Sequence, residues 1–176
     1  MNKTLKNLTL LVLSGVVLAT AGCVEGDLDN PNSAEVYLEV VLTESPPVRC
    51  QTQAGANLIT VEEWSASYAN VPKNSLAETS PFNDIEIISV TINYDFPDIN
   101  PAVWPPEREI PSPGTIIPDE EQQLTFEPIL FQDLDVGLLG TSGILQMTIK
   151  WTTPSDTKVY TKRVGEVLMI ESCSGG

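Results

Sequence analysis

From position 34 onward, apolar residues recur at every second position. Val36, Leu38, Val40 and Leu42 share one parity, and Tyr37, Glu39 and Thr43 share the other. A period of two predicts a half-buried β-strand, which Pro46-Pro47 ends. Residues 48–53 form a short second candidate carrying Cys50. In residues 58–68, Ile59 and Val61 lie on one parity and Trp64, Ala66 and Tyr68 on the other. That switch predicts one strand with a bulge near Glu62-Glu63. Residues 70–83 are polar and read as a loop. Residues 84–96 are rich in β-branched side chains and predict a strand with Ile88, Val90, Ile92 and Tyr94 on one face.

Residues 97–118 hold seven prolines around Trp104. Proline has no ladder donor, so this segment predicts an extended surface loop rather than a central strand. Strand character resumes over 121–131, with Leu124 and Phe126 in phase and Pro128 at an edge or bend. Residues 132–142 predict a turn, with one helical turn at 134–139. Leu145, Met147, Ile149 and Trp151 then alternate with Gln146, Thr148 and Lys150. Pro154-Ser155-Asp156 predicts the turn of a hairpin that returns over 157–163. Gly165 predicts a kink before residues 166–173 complete the chain. No long segment from position 34 onward has helical periodicity, and no internal repeat is present.

The chain is long enough for one domain with a real core. About seven strands in one domain predict an all-β, antiparallel sandwich. Over residues 34–173 the pattern resembles the immunoglobulin-like and fibronectin-like domains of bacterial surface lipoproteins.

The N-terminus reads differently. Lys3 and Lys6 precede an apolar run over residues 8–19 with no charge. Roughly 18 apolar residues are needed to span a bilayer, so the run reads as the core of a secretory signal. The stretch Leu18-Ala19-Thr20-Ala21-Gly22-Cys23 resembles the lipobox cut by bacterial signal peptidase II, with Thr20 where that family usually has leucine. The resemblance implies a signal peptide at 1–22, acylation of Cys23 and palmitate-type chains there. Behind Cys23 the polar, turn-rich residues 24–33 read as a tether, which makes 23–33 a lipidated tether and 34–176 the expected sandwich domain. Val24 in place of aspartate resembles cargo sorted to the outer membrane. The alternative is an ordinary signal cut near Ala21 that leaves Cys23 a plain thiol. If Cys23 carries lipid, Cys50 and Cys173 remain as a disulfide pair in an oxidising compartment. Each buried acyl methylene contributes roughly 0.8 kcal/mol, so two or three chains anchor firmly.

Charge then limits the partners. Removing Lys3 and Lys6 leaves 7 basic and 24 acidic residues, a formal charge of −17. Such a surface repels nucleic-acid phosphates and anionic headgroups, so the acyl anchor is expected to supply the membrane contact. The chain has no histidine, which removes the commonest general base and metal ligand. Ser155-Asp-Thr-Lys158 fits the S-x-x-K pattern of penicillin-recognising enzymes, but those need a helix start and these residues fall in a hairpin turn. Asp27-Leu-Asp29-Asn30-Pro31-Asn32 begins like a calcium loop without its glycine and distal glutamate. Asp119, Glu120, Glu121, Asp133 and Asp135 are further candidate oxygen ligands. No cofactor and no metal are expected.

Trp104, on a stiff proline-rich loop, is the binding candidate, because a rigid aromatic loses little entropy on docking. Its alternative role is to fold back over one end of the core. Trp64 and Trp151 lie in strand phase and are expected in the core. The expected function is a membrane-anchored, non-enzymatic binding or assembly module for another envelope protein or a surface glycan. One alternative is an accessory subunit marked by a broad apolar patch near residues 97–118. Another is a hydrolase using two carboxylates roughly 5 to 10 Å apart.

Overall fold

Alternation becomes structure in β1 (Val36–Glu44), which buries Val36, Leu38 and Val40 and turns Tyr37, Glu39 and Val41 to solvent. The computed structural model describes residues 36–73 and 80–175. The signal peptide and tether expected at 1–22 and 23–33 lie outside the described residues. Strand β1 pairs antiparallel with β4 (Trp64–Pro72), and β4 pairs with β8 (Glu121–Phe126), giving the order β1-β4-β8. As the middle strand, β4 is covered on both faces. Trp64, Ala66 and Tyr68 enter the core, while Ser65 and Ser67 are buried on the opposite parity. The Ser67 hydroxyl donates to the Glu121 carboxylate at 2.6 Å.

The second sheet runs β10-β9-β5-β6. Its strands are β5 (Ile85–Asp95), β6 (Arg108–Ile110), β9 (Ser142–Thr153) and β10 (Asp156–Met169). A two-residue strand, β7 (Thr115–Ile116), pairs with the start of β5 along the same edge as β6. Leu145, Met147, Ile149 and Trp151 of β9 and Ile85, Ile87, Val90, Ile92 and Tyr94 of β5 share one core with β1 and β4. The Tyr68 hydroxyl reaches Met147 Sδ at 3.5 Å across it. Gly143 opens β9 where no side chain fits: a Cβ there would fall on the Phe96 ring and 2.7 Å from the Asp95 carbonyl.

A third, small sheet joins β2 (Arg49–Gln53), β3 (Ala56–Thr60) and β11 (Ser174–Gly175) in the order β11-β2-β3. β2 and β3 form a hairpin whose turn, Ala54-Gly55, has positive φ at both residues. That conformation suits the twist of a tight hairpin. β11 runs parallel to β2, and the Cys50–Cys173 disulfide locks the pair, with Cα atoms 4.5 Å apart.

Register gives the molecule two ends. Val36 pairs with Pro72, and Asn70 Nδ2 donates to the Asn83 and Ile116 carbonyls at 2.9 and 2.8 Å. Val36, Ile85 and Ile116 therefore belong to one end, the near end, where β1 begins. The far end holds Phe126, Asp95, Ser142 and Met169, and there Val48 N donates to the Met169 carbonyl at 2.9 Å. Nine residues of β1 at about 3.3 Å each separate the two ends by about 30 Å.

Several expectations need correction. The described residues form eleven strands rather than about seven, because short edge strands and the third sheet add to the main ladders. Residues 58–68 are two strands in different sheets, and the parity switch at Glu62-Glu63 marks the crossover rather than a bulge. A bulge in β5, between Ile87 and Ser89, is one of three register shifts among the described strands. It moves the core parity from Ile85 and Ile87 to Val90, Ile92 and Tyr94, so Ile88 faces solvent. Residues 70–72 continue β4 rather than beginning a loop. The proline-rich stretch contains β6 and β7, both edge strands as proline requires. Gly165 does not break β10, which stays in register with β9 from Tyr160 to Met169. Trp64 and Trp151 are buried as expected.

Two outcomes test this framework. Replacing both Cys50 and Cys173 by serine releases a loop with a sequence separation of 123 residues. The expected loss is about 2 to 5 kcal/mol in denaturant unfolding, with the third sheet exchanging amide hydrogens first. Burial also pushes the Tyr68 hydroxyl up to about 12 from its ordinary value of 10.0. Between those values the folded chain keeps a proton that the unfolded chain loses, so stability falls as pH rises above 10. Ultraviolet titration should show Tyr68 ionising together with unfolding; ionisation well before unfolding would contradict its burial.

Candidate functional site

Two loops build the far end: residues 96–107, between β5 and β6, and residues 127–141, between β8 and β9. The first turns immediately after Phe96. The Asn100 side chain accepts from Ala102 N at 3.0 Å and caps a 3-10 turn, Pro101–Val103. Trp104 N then donates to the Pro101 carbonyl at 3.2 Å. This geometry swings the indole back over the loop, where Nε1 donates to the Ile99 carbonyl at 3.1 Å. The ring meets fully buried Phe96 edge-on, with centroids 6.3 Å apart. Trp104 is half-buried against the core edge, the folded-back position considered from the sequence.

The second loop is held from below. Ile129 and Leu138 are fully buried. The Thr141 hydroxyl donates to the Leu138 carbonyl at 2.6 Å. Gly140 N donates to the Ile170 carbonyl and Ile170 N to the Thr141 carbonyl, at 3.0 and 2.9 Å. Between these anchors run two 3-10 turns, Phe131–Asp133 and Val136–Leu138, the second capped by the Asp135 carboxylate accepting from Gly137 N at 2.7 Å. Each turn opens on an outward apolar residue: Phe131 is 66% exposed and Val136 is 76% exposed.

Two side chains tie the second loop to the strands that flank the first, β5 and β6. The Tyr94 hydroxyl donates to the Pro128 carbonyl at 2.7 Å, and Arg108 Nη2 donates to the neighbouring Glu127 carbonyl. Arg108 Nε is buried without a partner. Burial raises the Tyr94 hydroxyl above its ordinary value; nearby Arg108 opposes that rise and the Asp133 charge adds to it. Both sides of the far end are thus fixed to one strand, β5, and its edge partner β6.

Cys50 and Cys173 lie at this same end, and their disulfide closes the small sheet beside it. Cys23 and the Asp27–Asn32 stretch lie outside the described residues. Ser155 and Lys158 occupy the β9–β10 hairpin, where the Ser155 hydroxyl meets Thr153 Oγ1 at 2.9 Å and the Lys158 ammonium lies over the Tyr160 ring at 5.3 Å. Among the described residues, no three Asp, Glu or Cys side chains are grouped to hold a metal ion. Residues 97–118 carry no broad apolar patch: Ile117 is their one well-exposed large apolar side chain. Sequence pattern missed Phe131 and Val136. Phe131 reads as the end of a strand, and Val136 as part of a helical turn. The usable signal was Asp135 followed by Val-Gly, a cap directly before an apolar residue.

Removing these contacts should loosen the loop that each one holds. Tyr94→Phe leaves the buried Pro128 carbonyl without a donor and is expected to cost about 1 to 3 kcal/mol. Trp104→Ala removes a half-buried indole and its bond to Ile99, at roughly 2 to 4 kcal/mol. Hydrogen exchange should speed up in residues 127–141 for Tyr94→Phe and in residues 96–107 for Trp104→Ala; no change in the loop that the altered side chain holds would show that the contact does not brace it.

No known family model matches the chain, and no curated protein matches it.

Proposed function

We propose that the chain is a lipoprotein of the bacterial cell envelope, anchored through acylated Cys23. Its immunoglobulin-like sandwich serves as a non-enzymatic binding or assembly module. The signal peptide would occupy residues 1–22 and the tether residues 23–33, with the outer membrane as the destination that Val24 suggests. The single observation that carries this reading is the opposition of the two ends. Val36, the first described residue, begins at the near end. Phe131 and Val136 stand out from braced turns at the far end, about 30 Å away. Pre-set apolar side chains of this kind contribute to association because little conformational entropy is lost when they dock. A protein-type contact centred on Phe131 and Val136 fits this surface better than a glycan contact centred on Trp104, whose indole Nε1 already donates to Ile99.

The chemical inventory supports the same reading. The chain has no histidine, and its two described cysteines are joined. The strong acidity keeps such a module soluble beside a membrane.

Mass spectrometry of the N-terminal peptide tests the anchor: it should begin at Cys23 and carry two or three acyl chains. A peptide beginning elsewhere without lipid refutes the anchor. Crosslinking from intact envelopes tests the module. One envelope protein should be enriched with the native chain and lost with Phe131→Ser plus Val136→Ser, at unchanged thermal stability. Equal recovery with both forms would remove the far end as a docking site.

A further inference from the structure

Net charge hides an uneven distribution. Four of the seven basic residues beyond Lys6 lie on the β9–β10 hairpin: Lys150, Lys158, Lys162 and Arg163. Two of the others are already engaged: Arg49 pairs with Glu62 at 3.3 Å, and Arg108 donates to the Glu127 carbonyl. The outward parity of β9 and β10 reads Ile144, Gln146, Thr148, Lys150 and Thr152, then Val159, Thr161, Arg163, Gly165, Val167 and Met169. It contains no acid, in a chain with 24 of them. The register sets Lys150 opposite Thr161 and Arg163 opposite Thr148, which makes the two cations diagonal neighbours on one face. Ile144 sits opposite Val167 with Met169 next along the strand, and all three are about half exposed. The nearest acids on this face belong to β5 and β6, namely Glu86, Asp95 and Glu109. Asp156, at the hairpin turn, accepts from Lys158 N at 3.0 Å and from the Tyr160 hydroxyl.

We propose that this face rests on the bilayer, with Lys150 and Arg163 at the phosphates of anionic lipid headgroups and Ile144, Val167 and Met169 against the headgroup–acyl boundary. The inference rests on the lipid anchor proposed above. Two observations select the bilayer as occupant. The first is charge: cations interleaved with exposed aliphatic residues match an anionic interface. The Debye length is about 8 Å at physiological salt, so acids on the other sheet are screened, while Glu86 and Asp95, paired from β5 with Thr152 and Ile144, bound the cationic strip on its β5 side. The second is chain length. β1 lies beside β10, and the 13 residues from Cys23 to Val36 reach at most about 45 Å, enough to lay the hairpin face on the membrane that holds Cys23. In that posture the far-end loops lie at the rim, open to a neighbouring envelope protein.

Covalent labelling of lysine amines tests the proposal on the full-length protein purified from membranes. The protein is placed in vesicles of phosphatidylcholine, with or without a minority of phosphatidylglycerol. Each cation at an anionic surface is expected to shift docking by about fivefold. Lys150 should label several-fold more slowly on anionic vesicles, and Arg163→Gln should restore about fivefold of that loss without changing thermal stability. Vesicle-bound, acylated protein whose Lys150 labels equally on both vesicles overturns the docking face and leaves the anchor intact. Protein without acylation whose Lys150 is nevertheless protected by anionic vesicles refutes the anchor and supports the face. Protein that neither carries lipid nor binds anionic vesicles overturns both. Protection by a soluble acidic polysaccharide, with none on vesicles, removes the bilayer as occupant.

Discussion

A sheet whose strands alternate apolar and polar residues has one face that must leave water, and here each main sheet supplies the cover for the other. Trp64, Ala66 and Tyr68 of the middle strand β4 lie in the same core as Leu145, Met147 and Ile149 of β9. Tyr68 and Met147 meet at its centre. Everything else depends on that shared layer. The β5 bulge is acceptable because it carries the strand from one apolar parity to the other without exposing either half. Gly143 is required because Phe96 closes the layer beside it.

The ends of the layer are handled differently. At the near end the polar side chain of Asn70 sits in the buried region and satisfies the carbonyls of Asn83 and Ile116. A buried carbonyl left unpaired costs about as much as a lost hydrogen bond, so this one residue joins three segments. At the far end Tyr94 does the same for the buried Pro128 carbonyl, and Arg108 donates to the exposed Glu127 carbonyl beside it. The far-end loops are consequently braced from the core outward. The proposed docking role of Phe131 and Val136 follows from that rigidity more than from their hydrophobicity.

Charge operates on two scales. A formal −17 over residues 23–176 opposes the approach of phosphate backbones to the surface as a whole. Contact with a surface, however, is decided within a screening length, and the β9–β10 face presents cations and aliphatic residues with no acid among them. The expectation that the whole surface repels anionic headgroups treats the charge as uniform. Strand pairing makes it local.

What the residues alone determined was the all-β class, the phase of most strands and the core positions of Trp64 and Trp151. A period of two is a local property, and each face keeps its character whatever it packs against. The proline-rich stretch was also legible as never central, since proline removes a ladder donor wherever it falls. The assembled fold alone settled which strands share a sheet. A parity switch at Glu62-Glu63 is the same in sequence whether the strand bulges or leaves for another sheet. It also decided that Ile88 is exposed, that Trp104 turns back onto Phe96, and that Phe131 and Val136 turn outward. Each depends on contacts between residues far apart in the chain, and the energy of such contacts appears nowhere in a local pattern.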